Sequence, residues 1–164
     1  MLVLCATSAA AASRWTQVLE HAPWTPRSDT QLAHLDGKLL LMGGHANNDY
    51  SNDVWASADG GGTWQQQPTP PWEPRSYHTA KVVNGALLLL AGHDASTWYS
   101  DVWRTTNGRN WTLVTRAAAF GPRAATALQA RGDALYVMGG SDGLLAPIGN
   151  GTCFNDVWKS VDGG

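Results

Sequence analysis

The sequence predicts an all-β fold made of repeated units of four antiparallel strands, and three observations support this prediction. One pattern of residues recurs along the chain, dipeptides that favour tight turns separate pairs of apolar runs, and no window shows the 3.6-residue apolar period of a helix. The composition agrees, because 18 glycines in 164 residues permit many tight turns and 9 tryptophans provide large packing anchors.

The recurring pattern consists of three short motifs. Pro-Arg starts at residues 48 apart, namely Pro26, Pro74 and Pro122. A doublet follows at the same interval, as Gly43-Gly44, Ala91-Gly92 and Gly139-Gly140. Asp-Val-Trp starts at Asp53, at Asp101 and, after an insertion of seven residues in "LLAPIGNGTC", at Asp156. The chain therefore contains two full repeats and part of a third, and Trp15-Thr16, which match Trp111-Thr112, are expected to end an earlier one.

Each repeat predicts four strands. In the second repeat, "HTAKVV" and "ALLLLAG" flank Asn84-Gly85, a strong hairpin signal because a type I′ turn needs two residues at positive φ. Asp36-Gly37 and Gly132-Asp133 stand at the equivalent places, and "SDVWRTT" and "WTLV" supply the third and fourth strands. The second strand of each repeat is apolar at consecutive positions ("KLLLMGG", "ALLLLAG", "ALYVMGG"), so both of its faces must be covered.

A four-stranded unit that lies between two like units is a blade of a β-propeller. We therefore expect residues 13–164 to form a β-propeller segment of about three four-stranded antiparallel blades, part of a six- or seven-bladed ring, with the last blade incomplete. Three blades do not close a ring, because propellers typically have four to eight. A fragment of a longer protein is favoured over two chains that complete one six-bladed ring, and we expect a continuation that begins with x-Thr-Trp.

Together, Pro-Arg, the glycine doublet, Asp-Val-Trp and a later Trp resemble the kelch repeat over residues 15–164. The departures are Ala91 in place of a first glycine and the lack of a Tyr at a fixed site between the doublet and the Trp. The resemblance implies a propeller of the kind that forms the central domain of galactose oxidase-like proteins.

The segment "SADGGGTW" resembles a second motif, the Asp-box S-x-D-x-G-x-T-W, at every specified position: Ser57, Asp59, Gly61, Thr63 and Trp64. Asp-boxes form the turn between the third and fourth strands of blades in sialidases and other proteins. We expect the Asp59 carboxylate to accept backbone N–H groups of its own turn and Trp64 to hold the hairpin against the blade. Phosphate binding would need a strand–loop–helix context, and calcium binding would need more oxygen ligands, so a structural turn is favoured.

One end of the blades, which we call the loop face, carries the loops between second and third strands and the connections between blades. Such long and variable segments are where binding residues usually lie. The predicted binding residues are Trp24, Arg27, His45, Tyr50, Trp72, Arg75, His93, Trp98, Tyr99 and Arg123. Exposed Trp and Tyr side chains there would stack on a sugar or grip a loop of a protein.

Structural roles compete for several of these residues. Trp24 and Trp72 would instead pack beneath the proline-rich connections. Each arginine would instead pair with a carboxylate, that of Asp53, Asp101 or Asp156, and this is favoured because packing demands recur whereas sites are local. His45 and His93 occupy equivalent positions in the first two repeats and could share a metal ion. A catalytic metal site normally has three protein ligands, however, and the third repeat has Ser141 at the equivalent position.

The sequence therefore predicts a binding or interaction module that recognises a protein or a glycan, without catalytic residues, metal or cofactor. The alternative is a fragment of a propeller enzyme, either a galactose oxidase-like copper oxidase or a sialidase-like glycoside hydrolase. Cys153, Tyr50 and Tyr99 do not make a convincing copper site, and neither Glu20 nor Glu73 has a suitable Tyr nearby in sequence. A net charge of −2 and the short apolar stretches argue against nucleic acid and a membrane span. Self-association is expected if the protein really has three blades.

Residues 1–12 predict a signal peptide, because an apolar run is followed by an A-x-A cleavage site at Ala10–Ala12, although the usual basic region is missing. The expected location is secreted or extracytoplasmic with such a signal and cytoplasmic without it. Cys153 would then be the one cysteine of the mature chain, which excludes a disulfide framework, and the sequons at Asn110 and Asn150 would matter only on secretion.

Overall fold

The computed structural model describes residues 15–47, 49–143 and 151–162, and within these ranges it contains strands and no helix. The strands, in chain order, are β1 (Gln31–Leu35), β2 (Lys38–Met42), β3 (His45–Ala46), β4 (Asp49–Tyr50), β5 (Val54–Ser57), β6 (Gln65–Gln66), β7 (Thr79–Val83), β8 (Ala86–Leu90), β9 (Val102–Thr105), β10 (Thr112–Thr115), β11 (Ala127–Arg131), β12 (Ala134–Met138) and β13 (Val157–Ser160). The all-β prediction is confirmed. The described part of the chain holds no helix able to cross a membrane. The predicted signal peptide and the Asn150 sequon lie outside the described residues.

Three successive antiparallel sheets form the blades, which we number one to three. Blade one has the order β1-β2-β5-β6, blade two β7-β8-β9-β10 and blade three β11-β12-β13. Strands β3 and β4 form a separate hairpin in the loop between the second and third strands of blade one. The predicted blade architecture is confirmed, and in blade three the described residues supply three strands.

Two-residue turns join the first two strands of every blade at the predicted places. In blades one and two both turn residues have positive φ, with values of 50° and 73° at Asp36-Gly37 and 49° and 70° at Asn84-Gly85. In blade three, Gly132 has a φ of 57° and Asp133 does not enter the positive region. That arrangement suits a type II′ turn, which needs positive φ at its first central residue alone.

Strand β8 shows why the second strands are apolar throughout. All five of its residues are buried. Leu87 and Leu89 belong to the core shared with blade one, whereas Leu88 and Leu90 belong to the core shared with blade three. Strands β2 and β12 have a described neighbour on one side only, so their residues alternate between buried and more exposed. The prediction that both faces of the second strand are covered is therefore confirmed for blade two, which has a neighbouring blade on each side.

The three sequence motifs meet in one network at the loop-face end of each blade. In blade two, Arg75 donates through Nη1 and Nη2 to the two carboxylate oxygens of Asp101, at 2.6 and 2.9 Å. Its Nη1 also donates to the carbonyl of Ala91 at 3.1 Å, and Trp103 Nε1 donates to Asp101 Oδ2 at 2.7 Å. Blades one and three repeat the ion pair and the indole bond with Arg27–Asp53–Trp55 and Arg123–Asp156–Trp158. The motifs recur because every blade needs this network.

The second residue of the first two doublets ties one blade to the next. The N–H of Gly44 donates to the carbonyl of Arg75 at 3.0 Å, and that of Gly92 to the carbonyl of Arg123 at 2.9 Å. Gly92 has a φ of 91°, and a Cβ there would lie 2.7 Å from the Cβ of His78. Only glycine fits such a position. The first position accepts Ala91, which takes a φ of 61° with its methyl group in the core, so this departure from the repeat leaves the fold intact.

The turn that resembles an Asp-box forms the hydrogen bonds that the sequence predicts. Asp59 Oδ1 accepts the N–H of Thr63 at 2.9 Å, and its Oδ2 accepts the Thr63 hydroxyl at 2.7 Å. Ser57 Oγ accepts the N–H of Gly61 at 2.8 Å, and Trp64 Nε1 donates to the Gly61 carbonyl at 2.9 Å. These bonds hold the pKa of Asp59 far below its usual value. The bond from the Thr63 N–H has the largest effect, and the bonds from the hydroxyls of Thr63 and Ser57 come next.

Blade two builds the same turn with an uncharged residue. Asn107 Oδ1 accepts the N–H groups of Arg109 and Asn110, both at 2.9 Å. Thr105 Oγ1 takes the place of the serine hydroxyl and accepts the N–H of Gly108 at 3.0 Å. The turn thus needs an acceptor rather than a charge, which agrees with the structural role predicted for it.

Candidate functional site

The loop face is held to the scaffold by a short bridge in each blade. The bridges join the loop after the second strand to the connection that enters the same blade, and they pair Ser28 with His45, Ser76 with His93 and Ala124 with Ser141. Loops and connections therefore emerge together at one end of the blades, as predicted from the strand order.

Five aromatic side chains meet on this face, and we call them the aromatic cluster: His45, Tyr50, Tyr77, His93 and Trp98. His93 is the central member. Its ring stacks on Tyr77 with centroids 5.6 Å apart and planes 12° apart, and on Trp98 at 5.3 Å and 14°. It also meets the edge of Tyr50 at 5.8 Å. Because such ring pairs contribute about 0.5–1.5 kcal/mol beyond buried area, they hold the rings in fixed orientations.

Three members of the cluster line a concavity between blades two and three, which we call the Tyr77 pocket. Its volume is about 260 Å³, and its walls are Tyr77, His93, Trp98, Ala124, Ala125, Ser141 and Gly143. Tyr77 remains 46% exposed, so its ring is available to a partner. Trp98 also lines an adjoining groove of about 520 Å³ together with Glu73, Tyr99 and Arg116. The indole of Trp98 therefore borders two concave surfaces.

Asp94 organises the loop that carries Trp98. Its Oδ1 accepts the N–H groups of Ser96 and Thr97 at 2.7 and 2.8 Å, and its Oδ2 accepts the hydroxyl of Tyr99 at 2.5 Å. Burial raises the pKa of Asp94, but the bonds from Tyr99, Ser96 and Thr97 outweigh it and lower the pKa. Burial and the bond to Asp94 raise the pKa of Tyr99. A loop fixed in this way loses little conformational entropy when it binds a partner.

Two carboxylates, those of Asp29 and Asp94, lie close to the aromatic cluster. Asp29 Oδ2 lies 3.9 Å from His45 Nδ1. The pKa of Tyr50 is raised, mainly by burial. The electrostatic effects of Asp94, Tyr77 and Asp29 raise it further. The Tyr50 hydroxyl therefore lies in the field of nearby carboxylates.

The three candidate arginines lie beneath the loop face and are structural. The side chain of Arg75 is 0% exposed, and those of Arg27 and Arg123 are nearly as buried. Each is engaged in the two-point ion pair of its own blade. The pairing with Asp53, Asp101 and Asp156 is confirmed. Their inclusion among the binding residues is corrected, because a buried and paired guanidinium offers no surface to a ligand.

The two candidate tryptophans before Pro-Arg serve packing. Trp72 is buried, and its ring meets the edge of Trp111 at a centroid distance of 5.8 Å. Trp24 occupies the equivalent place in blade one, where it contacts Trp55 at 5.7 Å and the edge of Trp64 at 4.9 Å. The expectation that Trp72 is exposed is wrong, and the packing alternative is confirmed for it. Trp24 is half-buried, because no described blade covers its other side.

Tyr99 also has a structural neighbour. The guanidinium carbon of Arg75 lies 3.9 Å from the centroid of its ring, and Phe154 holds the same position over Arg123 at 4.0 Å. Both rings come two residues before the paired aspartate. An aromatic residue at a fixed site thus exists in blades two and three, although the sequence suggested none. This equivalence is not visible in the sequence, because the seven-residue insertion changes the spacing between the doublet and Phe154.

The candidate histidines do not form a metal site with other described residues. Each imidazole contacts the ring of Tyr50, His45 at 5.2 Å and His93 at 5.8 Å. Within the described ranges, no three side chains of His, Cys, Asp or Glu come close enough together to hold a metal ion.

Sequence reasoning missed Tyr77 and Asp94. A signal for Tyr77 was present, because Asp29, Tyr77 and Ala125 occupy equivalent positions directly after Pro-Arg-Ser or Pro-Arg-Ala. The structure gives all three a positive φ, of 58°, 50° and 56°. A position whose backbone is kept while its side chain changes between repeats is typical of a binding position on a repeated scaffold.

Comparison with known families places the chain among proteins with Kelch repeats. A family model described as the KLHDC2/KLHL20/DRC7 Kelch-repeats domain matches residues 3–140. The matched range includes all of blades one and two and the first two strands of blade three. None of the curated proteins matches the chain.

Proposed function

The chain belongs to the Kelch-repeat family, and on that premise we propose that it is a protein-interaction module which binds a segment of a partner protein at the Tyr77 pocket. One observation carries the proposal: the rings of Tyr77 and Trp98 both stack on His93 and line a pocket of about 260 Å³. Tyr and Trp are enriched at interface hot spots, because rigid aromatic rings bury a large area at little entropic cost.

The shape of the site favours an extended segment of the partner. Trp98 borders both the Tyr77 pocket and the larger groove beside Glu73 and Arg116. A segment that crosses Trp98 would place an apolar or aromatic side chain in the Tyr77 pocket and continue into the groove. The loop needs no rearrangement for this, since Asp94 already fixes it.

The charge of the site favours a basic residue in that segment. Aspartates stand in or beside the loops at Asp29, Asp49, Asp94 and Asp142. The arginines below them are neutralised by their own carboxylates. A Lys or Arg of the partner would gain from this field and from contact with the face of Tyr77 or Trp98.

The other functions expected from the sequence receive no support from the family match. The match to a Kelch-repeats domain supports a protein ligand and lends no support to a glycan. The three arginines that a sialidase-like site would need are each committed to an aspartate. Recognition of a protein therefore remains the function that the geometry favours best.

A peptide-display selection tests the proposal. Random twelve-residue peptides are selected on the chain, and the affinity of the best ones is measured by calorimetry. We expect Trp98→Ala and Tyr77→Ala each to weaken binding at least about tenfold, as loss of a hot spot does. Leu32→Ala, at an exposed site of blade one away from the loops, is the matched control and should bind as the parent does. Selected peptides that bind Trp98→Ala with unchanged affinity, or a glycan array that gives the only specific binding, would contradict the proposal.

A further inference from the structure

The Tyr77 pocket lies between blades two and three, and the repeat provides an equivalent place between blades one and two. Moving back along the chain by the repeat length of 48 converts three wall residues of the pocket, Trp98, Ala125 and Ser141, into Tyr50, Tyr77 and His93. The loops after the second strands of blades one and two have the same length, so this equivalence holds through both loops. The two places can therefore be compared residue by residue.

Both places share one loop geometry on the side of the preceding blade. His93 and Trp98 form an antiparallel bridge, and their equivalents His45 and Tyr50 pair in the same way. The rings of both pairs are in contact, with centroids 5.3 Å apart for His93 and Trp98 and 5.2 Å apart for His45 and Tyr50. Trp98 therefore occupies in blade two the place that Tyr50 occupies in blade one.

Between blades one and two, the following blade brings two rings to this place. His93 meets Tyr50 edge to face, with centroids 5.8 Å apart. Tyr77 stacks on His93 at 5.6 Å. Because His93 and Tyr77 both belong to the repeat that forms blade two, Tyr50 of blade one receives a stacked aromatic pair from its neighbour.

Between blades two and three, the same two positions carry small side chains. Ala125 stands at the equivalent of Tyr77 and Ser141 at the equivalent of His93, so neither brings a ring to Trp98. Both residues line the Tyr77 pocket, whose volume is about 260 Å³. Since an apolar cavity of about 150 Å³ holds benzene, the pocket has room for an aromatic ring beside Trp98.

The walls of the pocket favour an aromatic side chain over an aliphatic one. They include three rings and the methyl groups of two alanines. The hydroxyl of Ser141 donates to the carbonyl of Gly143 at 3.2 Å, so it is already paired. A branched aliphatic side chain would bury a similar area, but contacts between aromatic rings stabilise beyond the buried area.

We propose that the Tyr77 pocket is specific for an aromatic side chain of the partner, which meets Trp98 as His93 meets Tyr50. This inference rests on the proposed function and adds the chemical class of the residue that anchors the partner's segment. The partner's ring takes the space that Ala125 and Ser141 leave open. Ring contacts then select a flat side chain over an aliphatic one of equal bulk, because only the flat one gains them.

Filling the pocket from within the chain tests its shape on the protein alone. The double variant Ala125→Tyr, Ser141→His introduces the pair found one blade earlier, and its backbone suits this pair because φ is 56° at Ala125 and 50° at Tyr77. The added ring contacts should raise the melting temperature by about 2–4 °C. The matched control Ala125→Leu, Ser141→Leu adds aliphatic bulk and should give no such rise. A lower melting temperature for the Tyr, His variant, or an equal rise for the leucine variant, overturns the inference.

Two small probes measure the preference of the pocket directly. The first is p-cresol, which is the side chain of tyrosine, and the second is 4-methylcyclohexanol, which has a similar size but is not flat. Titrations followed by NMR at the indole N–H of Trp98, assigned with Trp98→Phe, should give a dissociation constant at least about threefold lower for p-cresol. The variant Ala125→Tyr, Ser141→His should bind neither probe there. Equal affinity for the two probes, or no binding of p-cresol at millimolar concentration, overturns the inference.

Peptides selected on the chain separate this inference from the proposed function. Those whose binding is lost in Trp98→Ala should contain an aromatic residue, and its replacement by leucine should weaken binding at least about tenfold. Peptides that depend on Trp98 but tolerate this leucine overturn the aromatic specificity and leave the proposed function standing. Peptides that bind independently of Trp98 contradict the proposed function, whereas the melting temperatures and the two probes still decide which side chain the pocket prefers.

Discussion

Arg75 and Asp101 form an ion pair in which the two Nη groups of one side chain each donate to one oxygen of the other, at 2.6 and 2.9 Å. The ring of Tyr99 covers the guanidinium, and the carbonyl of Ala91 accepts a further bond. Each blade contains its own copy of the pair, and Arg and Asp come from the same blade every time. The pair therefore closes a blade internally, whereas contact between blades depends on backbone bonds, among them those of the glycine doublet, on the apolar cores and on ring contacts such as that of Tyr50 with His93.

Arg75→Leu should lower the free energy of unfolding by about 3–5 kcal/mol, because Asp101 would keep a partly buried charge without its partner. Urea unfolding followed by tryptophan fluorescence measures the change. Arg109→Leu, at an exposed site, is the matched control and should change stability by about 0.5 kcal/mol or less. The double variant Arg75→Leu, Asp101→Leu should recover part of the loss, and equal losses for Arg75→Leu and Arg109→Leu would show that the pair is not important for stability.

His78 should make the protein sensitive to mild acid. Burial, followed by the positive charge of Arg75, lowers its pKa from 6.5 to about 3. The unfolded chain therefore binds the proton first, and the free energy of unfolding falls as the pH drops below about 6.5, by up to about 1.4 kcal/mol per pH unit. Thr30 and Thr126 occupy the equivalent positions, so His78→Thr should remove this slope.

Urea unfolding of the parent and of His78→Thr between about pH 7 and 4.5 measures the difference. This window lies above the range in which aspartates with lowered pKa values, such as Asp94 and Asp156, take up protons. Their contribution to stability is present above the unfolded pKa of about 3.9 and is lost only at lower pH. Parallel curves for the two proteins would rule out His78 as the source of acid sensitivity.

Gly92→Ala should be far more damaging than Gly85→Ala. Both glycines have positive φ, so each substitution costs about 1–2 kcal/mol from the backbone alone. At Gly92 the new methyl group would also meet the Cβ of His78 at 2.7 Å and the Ser76 carbonyl oxygen at 2.8 Å, whereas nothing lies within 4 Å at Gly85. Overpacking of this kind adds about 1–3 kcal/mol. Thermal unfolding of the two variants measures the contrast, and similar melting temperatures would contradict the close packing at the doublet.

Asp59→Ala should lower the melting temperature, because the N–H and hydroxyl of Thr63 would lose their acceptor. Asp59→Asn should cost less, since Asn107 makes the equivalent bonds in blade two without a charge. Measured by differential scanning calorimetry, the melting temperature should be highest for the parent, lower for Asp59→Asn and lowest for Asp59→Ala. A result in which Asn is as damaging as Ala would mean that charge, rather than the acceptor geometry, stabilises this turn.

Most of the scaffold could be predicted from the sequence, because each feature depended on residues close together in the chain or repeated along it. Asn84-Gly85 predicted its hairpin from turn chemistry alone. The ion pairs could be anticipated because Arg and Asp recur together, and a requirement shared by every blade leaves a repeated trace.

The candidate site was less predictable because it depends on contacts between blades. Trp72 and Trp98 both lie in segments predicted to form the loop face, yet one is buried between blades and the other borders two concave surfaces. Only the packing of one blade on the next decides between these outcomes. Tyr77 joined the cluster through its stacking on His93, a contact between residues that no short motif connects.

Strand β8 divides its side chains between two cores, with Leu87 and Leu89 on one side and Leu88 and Leu90 on the other. Loss of either neighbouring blade would expose two leucines of blade two to water, at a cost of about 1.5–3 kcal/mol for each side chain. The three blades should therefore unfold as one cooperative unit rather than one at a time, and the amide hydrogens of β8 should be the slowest in the chain to exchange with deuterium.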